Sequence, residues 1–236
     1  MFTADTPSGS FPEPSTDDRI MDAVANERVR IANELNEGVL QRLTGLSLQL
    51  AGAVRRAGED ADQMLTAVAG AERVLEDELR VLRLLVLELV EEAEHPPTSA
   101  SLTSQIAAMI DRVYRVWGLT TSLTVGTTPP VIDSARLALE LVRLVQEALV
   151  NAARYANVNR AAVHVSGGAG VVHLRVEQFG VGFAFQGDME HDELMAARRG
   201  PVALKLRVRA LGGRLRIQSS KELASVEMDI PTGLRT

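Results

Sequence analysis

Glu27–Leu43 reads ERVRIANELNEGVLQRL, and the reading of this stretch decides the first half of the fold. Ile31, Leu35, Val39 and Leu43, continued by Leu46 and Leu50, recur at spacings of three and four, which puts them on one helical face. The helical pattern begins near Asp18, and a turn is expected at Ala57-Gly58-Glu59-Asp60. A second helix follows, with Met64, Val68, Ala71, Leu75, Leu79, Leu82, Val86 and Leu89 on its own stripe, and Pro96-Pro97 ends it. Two such helices cannot enclose a core alone. A second copy of the hairpin would cover the stripes as a four-helix bundle, so a homodimer is expected. Gly38, Gly45 and Gly52 fall one heptad apart. They either permit close helix approach or merely soften the helix, at about 1 kcal/mol each against Ala.

Composition narrows the surroundings. Of 236 residues, 46% are hydrophobic but 3% aromatic, which implies a core packed from Leu, Val and Ala. With no cysteine, neither disulfides nor a cysteine zinc site can form. A net charge of -6 argues against nucleic acid or an anionic membrane as partner. MFTADTPSGSFPEPSTDD at the start lacks the basic and apolar regions of a secretory signal. The apolar run Val81–Val90 is broken by Arg83 and Glu88 and falls short of the about 20 residues that cross a bilayer. No membrane insertion and a cytoplasmic location are expected.

Outward from the hairpin, the pattern turns to mixed α/β. Leu102–Val116 is an amphipathic helix, Leu119–Val125 alternates as a strand, and Ser134–Ala156 is a helix. Segments 160–166 and 170–177 form a hairpin about Gly167-Gly168-Ala169-Gly170. The acidic stretch Gln186–Arg199 reads as a mobile loop. A helix over Val202–Leu211 ends at Gly212-Gly213, with Pro201 suited to its first position, and strands Arg214–Ser219 and Ser225–Ile230 finish the chain. The expected organisation is a tail over 1–17, the helical hairpin over 18–95, a linker over 96–101, an α/β domain over 102–231 and a tail over 232–236.

The opening stretch resembles the phosphoacceptor helix of NarX/DesK-type sensor histidine kinases, which read E-R-x-R-I-A-x-E-L-H-D-x-V-x-Q-x-L there. Two positions depart: Asn36 stands for His and Glu37 for Asp. Further on, Gln146-Glu147-Ala148-Leu149-Val150-Asn151-Ala152-Ala153-Arg154-Tyr155-Ala156 resembles the N-box of the family's GHKL ATP-binding domain. Phe179-Gly180-Val181-Gly182-Phe183 resembles the end of its D-x-G-x-G-F box, and the helix over 204–211 with Gly212-Gly213 its M-R-E-R-x-x-x-L-G-G segment. Together these cover about 18–231. The implied fold class is α+β: a dimerising hairpin followed by a GHKL, Bergerat-type, α/β sandwich.

The resemblance also assigns roles. A phosphoacceptor needs the free lone pair of an imidazole. The Asn36 amide nitrogen is delocalised into its carbonyl, so autophosphorylation there is excluded and Asn36 is left as a polar residue on the helix face. Gln41, five residues on, matches a family Gln implicated in hydrolysing the regulator's aspartyl phosphate. An uncharged amide can position water with both a donor and an acceptor. Glu37 lies one turn away and could support it; the alternative reading of Gln41 is a surface residue inherited without use. For ATP and Mg²⁺ the implied residues are Glu147, Asn151 as the magnesium ligand, Arg154, Gln178, Gly180, Gly182 and Gly200.

Departures from the family pattern weaken that nucleotide site. Tyr155 replaces a His, and Gln178 replaces the Asp that accepts from adenine. Loss of such a charge-assisted bond costs about 1.5–3 kcal/mol. Glu177 cannot substitute, since one step along a strand reverses the side chain. The second glycine box, G-x-G-L-x-G-M, becomes Arg198-Arg199-Gly200-Pro201-Val202-Ala203-Leu204, with one glycine left to let backbone amides approach phosphates. Arg198 and Arg199 either attract phosphate or are solvated loop charges.

The expectation is therefore a catalytically deficient kinase relative. It would bind a response regulator, of the LuxR-type output class, around Glu37, Gln41 and Arg42, or pair with a cognate histidine kinase. The alternatives are an aspartyl-phosphate phosphatase using Gln41 and, third, a GHKL serine kinase of the anti-sigma-factor type, which leaves the hairpin unexplained.

Overall fold

A computed structural model describes residues 41–57, 61–94, 101–132, 134–155 and 158–233. The readings on 1–40, including Asn36, Glu37 and Gly38, on the turn at 58–60 and on Pro96-Pro97 lie outside the described residues. The chain divides into two compact units, Met1–Leu79 and Arg80–Thr236.

Two helices account for the hairpin, α1 (Gln41–Ala57) and α2 (Ala61–Glu94). Within the first unit, Met64, Val68, Leu75 and Leu79 on α2 stay exposed, an apolar stripe that the single chain does not cover. No described helix is long and apolar enough to cross a membrane.

The second unit is α+β. Its elements run α3 (Leu102–Trp117), β1 (Thr120–Val125), α4 (Ala135–Tyr155), β2 (Arg160–Gly168), β3 (Val171–Phe179), β4 (Gly187–Glu190), α5 (His191–Ala196), α6 (Val202–Ala210), β5 (Arg214–Ser219) and β6 (Leu223–Pro231). The sheet order is β1-β2-β3-β6-β5-β4, with β1 parallel to β2 and the other pairs antiparallel. Along β3 the burial alternates residue by residue, so one sheet face meets the core and the other meets solvent. Val163, Leu174, Ile217 and Met228 from the sheet join Met109, Leu141, Leu149, Leu204 and Val208 from the helices in one core.

Local chemistry explains the element ends. Ser101 caps α3, its Oγ accepting from the Ser104 amide at 3.2 Å. The β2–β3 turn is tighter than expected. The strands extend to Gly168 and from Val171, and Ala169 and Gly170, at φ of 50° and 75°, make the two-residue reversal. Positive φ at both central positions matches the twist of the flanking strands. At the end of α6, the Gly213 amide donates to Val208 O at 2.9 Å and the Gly212 amide to Arg209 O at 3.0 Å, the paired bonds of a Schellman motif. Pro201 is the N-cap of α6 and Val202 its first residue, one step from the expected position.

The stretch over 186–199 is not a loop. It forms β4 and α5. Asp188 on β4 takes two hydrogen bonds from Arg216 Nε on β5, at 2.8 and 2.9 Å. Glu193 accepts from the Glu190 amide at 2.9 Å, fixing the first turn of α5. Leu194 is sealed in the core. The acidic residues that suggest a solvated loop are instead placed at a helix start, where carboxylates favour the dipole, and beside a basic strand.

Candidate functional site

The residues implied as a nucleotide site fall in two groups, one on α4 and one between the end of β3 and the start of α6. On α4, Glu147, Asn151 and Tyr155 are four residues apart and share a face. Asn151 Nδ2 donates to Glu147 Oε1 at 3.1 Å. That engages one of the amide's two N–H donors and leaves Asn151 Oδ1 as an oxygen of the kind a magnesium ion takes. Arg154 does not extend away from the protein: its guanidinium lies 5.9 Å from the Trp117 ring and 5.8 Å from the Tyr155 ring. Among the described residues, no three His, Asp or Glu side chains gather into a metal-holding group.

Gln178 is 6% exposed, near the end of β3. Its Nε2 donates to Val181 O at 3.2 Å. A carbonyl can only accept, so this contact orients the amide and leaves Gln178 Oε1 for a ligand. Glu177 points to the opposite face, where its carboxylate approaches His164 Nε2 at 3.6 Å, as strand alternation requires. It therefore cannot serve in place of Gln178.

Gly180 and Gly182 are needed for packing. Gly180 has a φ of 151°, and a Cβ there would run into Val158; one on Gly182 would run into Ser219 Oγ and Ser220 O. Three backbone donors of this turn are engaged within the protein. The Gly180 amide donates to Glu222 O at 2.8 Å, that of Gly182 to Ser220 O at 3.2 Å, and that of Phe183 to Ser219 Oγ at 2.9 Å. Gly200, at φ of 70°, holds the reversal before α6, and a Cβ there would press on Ile217 and Leu194. Arg198 adopts a left-handed φ of 52°, and the Arg199 guanidinium lies 5.9 Å from the Phe185 ring.

An adenine thus meets one free acceptor on Gln178 and a magnesium ion one free oxygen on Asn151. For a polyphosphate, Arg198 and Arg199 offer charge, but their backbone amides are already used, donating to Met195 O at 3.2 Å and Leu194 O at 3.0 Å. The adenine end fits in part; the phosphate end does not.

Gln41 is the first described residue of α1, and its regular helix continues to Ala57. Asn36 and Glu37 lie outside the described residues. Sequence reasoning missed Trp117, which receives Arg154, and Ser219, which anchors the glycine turn. It also missed Lys205, buried on α6. A signal for the last exists: one lysine in the apolar run VALKL, next to the core positions Leu204 and Val208.

Comparison with known proteins bears on both halves. Residues 27–94 match the histidine kinase family HisKA_3. Over 168 residues the chain is 30% identical to the sensor histidine kinase MctS of Rhizobium johnstonii, which takes in 70% of this chain and 35% of that protein. Over 159 residues it is 28% identical to the nitrate/nitrite sensor protein NarQ of Escherichia coli, taking in 66% and 27% respectively. The histidine kinase domain of the blue-light activated kinase EL346 from Erythrobacter litoralis aligns at a TM-score of 0.44 and 18% identity, over 81% of this chain and 94% of that one. The chain spans about a third of the length of the curated relatives it matches. By the family match over residues 27–94 and the sequence similarity to MctS and NarQ, the chain is related to sensor histidine kinases of the NarX type.

Proposed function

We propose that this chain is a histidine-kinase relative without autokinase activity, which regulates a two-component system from the cytoplasm as a homodimer. It would do so by binding a response regulator, of the LuxR-type output class, or a partner kinase. The observation that carries the reading is Asn36 at the phosphoacceptor position within the matched segment. A carboxamide nitrogen has no lone pair to attack a phosphoryl group. The engaged backbone amides of Arg198 and Arg199 support it at the phosphate end, and the internal hydrogen bond of Gln178 at the adenine end. The apolar stripe of Met64, Val68, Leu75 and Leu79 supports the dimer, because a second hairpin is the partner able to cover it.

The test is incubation of the full chain with γ-labelled ATP and Mg²⁺. No label is expected on the protein, and acid-labile phosphate on any residue overturns the reading. Asn36→His in the same assay separates two causes. Labelling of the variant would place the whole deficiency at residue 36, whereas an unlabelled variant agrees with a deficient nucleotide site as well.

A second reading is favoured by the retention of Gln41, four residues after Glu37. A dimer without the histidine could still position water against a regulator's aspartyl phosphate. Gln41→Ala would then abolish the accelerated loss of that phosphate. An unchanged rate eliminates phosphatase action by this residue while leaving regulator binding intact. The serine-kinase alternative gains nothing from the matched hairpin, which such an enzyme does not require.

A further inference from the structure

The segment from Gly187 to Gly200 ends where the family resemblance puts a phosphate-binding loop. Here it is held by the protein itself. β4 pairs with β5, Asp188 is gripped by Arg216, Leu194 is buried, and the far end closes on a buried cation. That cation is Lys205, which projects from α6 and is 2% exposed. Its Nζ donates to Leu194 O at 3.2 Å and to Arg199 O at 2.6 Å.

The geometry suits an ammonium. A helix C-terminus leaves carbonyls with partial negative charge and no amide of their own helix to meet. The chain after α5 turns back through left-handed conformations at Arg198 and Gly200, with φ of 52° and 70°. The Arg199 amide returns to Leu194 O at 3.0 Å, and the Arg199 carbonyl faces Lys205. Gly200 is pressed between Ile217 and Leu194, where a Cβ would stand 3.2 and 3.4 Å from them. A group with three donors and no acceptor can bind both carbonyls at once, and a neutral apolar side chain of the same length binds neither.

We infer that Lys205 is an internal cationic pin, which keeps residues 191–200 folded against β5 without any nucleotide. The segment then does not order and disorder with ATP, and the α5–α6 surface is presented constantly. This inference is independent of the chemistry at residues 36 and 41.

Hydrogen exchange followed by mass spectrometry on the full chain tests it, with and without ATP and Mg²⁺. In the wild type, amides over 195–200 are expected to be protected, with rates unchanged by nucleotide. In Lys205→Met they should exchange at least tenfold faster, while the β2–β3 hairpin keeps its protection. If the hairpin also opens and the variant has unfolded, Lys205→Gln replaces it, with the same loosening expected from loss of charge. Three results overturn the inference: a wild-type segment that exchanges freely, one that becomes protected only on adding nucleotide, or a neutral variant as protected as wild type.

Discussion

The two units of the chain close their apolar surface in different ways. In the second, Leu149, Leu174, Ile217 and Met228 lie at 2% exposure or less, and helices and one sheet face cover each other completely. In the first, Val68 and Leu75 are about half exposed, at 53% and 46%. Both units carry strong apolar periodicity, so pattern alone does not say which is self-sufficient. The difference lies in layering: a sheet and a helix layer enclose a core within one chain, whereas a two-helix hairpin has an outer face that needs another molecule.

Four changes would break or sharpen this contrast. The largest effect is expected from Val68→Glu with Leu75→Glu. A charge on each of two adjacent levels of the stripe should convert the proposed dimer to a monomer in light scattering, with the sheet's circular dichroism retained. A variant that keeps the dimer mass would refute the assignment of the stripe to self-association. Next, Leu149→Ala in the sealed core should cost about 2–5 kcal/mol in chemical denaturation and leave the dimer mass unaltered. Gly182→Ala should cost roughly 1–3 kcal/mol by overpacking against Ser219 and Ser220. A neutral result would show that the turn can shift to admit a methyl group.

The smallest effect concerns Asp188. The hydrogen bond from Arg216 holds its carboxyl below the ordinary carboxylate range, with burial opposing weakly. The folded value lies under the unfolded one, about 3.9. The contribution is therefore present above that pH and fades as pH falls through the folded value. Asp188→Asn should lower the urea midpoint slightly at pH 7 and make it less sensitive to acid. The shift should be small, since the pair is exposed and screened by solvent. An equal acid sensitivity in both proteins would assign the acid limb to other carboxylates.

The site was legible in the sequence unevenly. Asn151 and Glu147 could be placed on one helical face because four residues make about one turn. The opposite orientations of Gln178 and Glu177 followed from strand alternation. What could not be read was where donors are spent. The Gln178 amide is turned to Val181 O, the Asn151 amide to Glu147, and the Arg154 guanidinium to Trp117, each decided by what lies beside it after folding. Gly180 and Gly182 were implied as nucleotide-site residues by resemblance, yet each is explained by Val158 or Ser219 packed against its Cα.

Sequence by itself determined the α+β class and the positions of α3, α4, α6 and the strands flanking them. These rest on local periodicity, caps and residue chemistry, which act within a few positions. Tertiary structure alone decided that 187–196 is strand and helix. Its acidic Asp188 looks solvated until Arg216, 28 positions on, comes to meet it, and its backbone turn is closed by Lys205, 11 positions beyond Leu194. A charge is read correctly only when its partner is known, and chain folding, not spacing, brings those partners together.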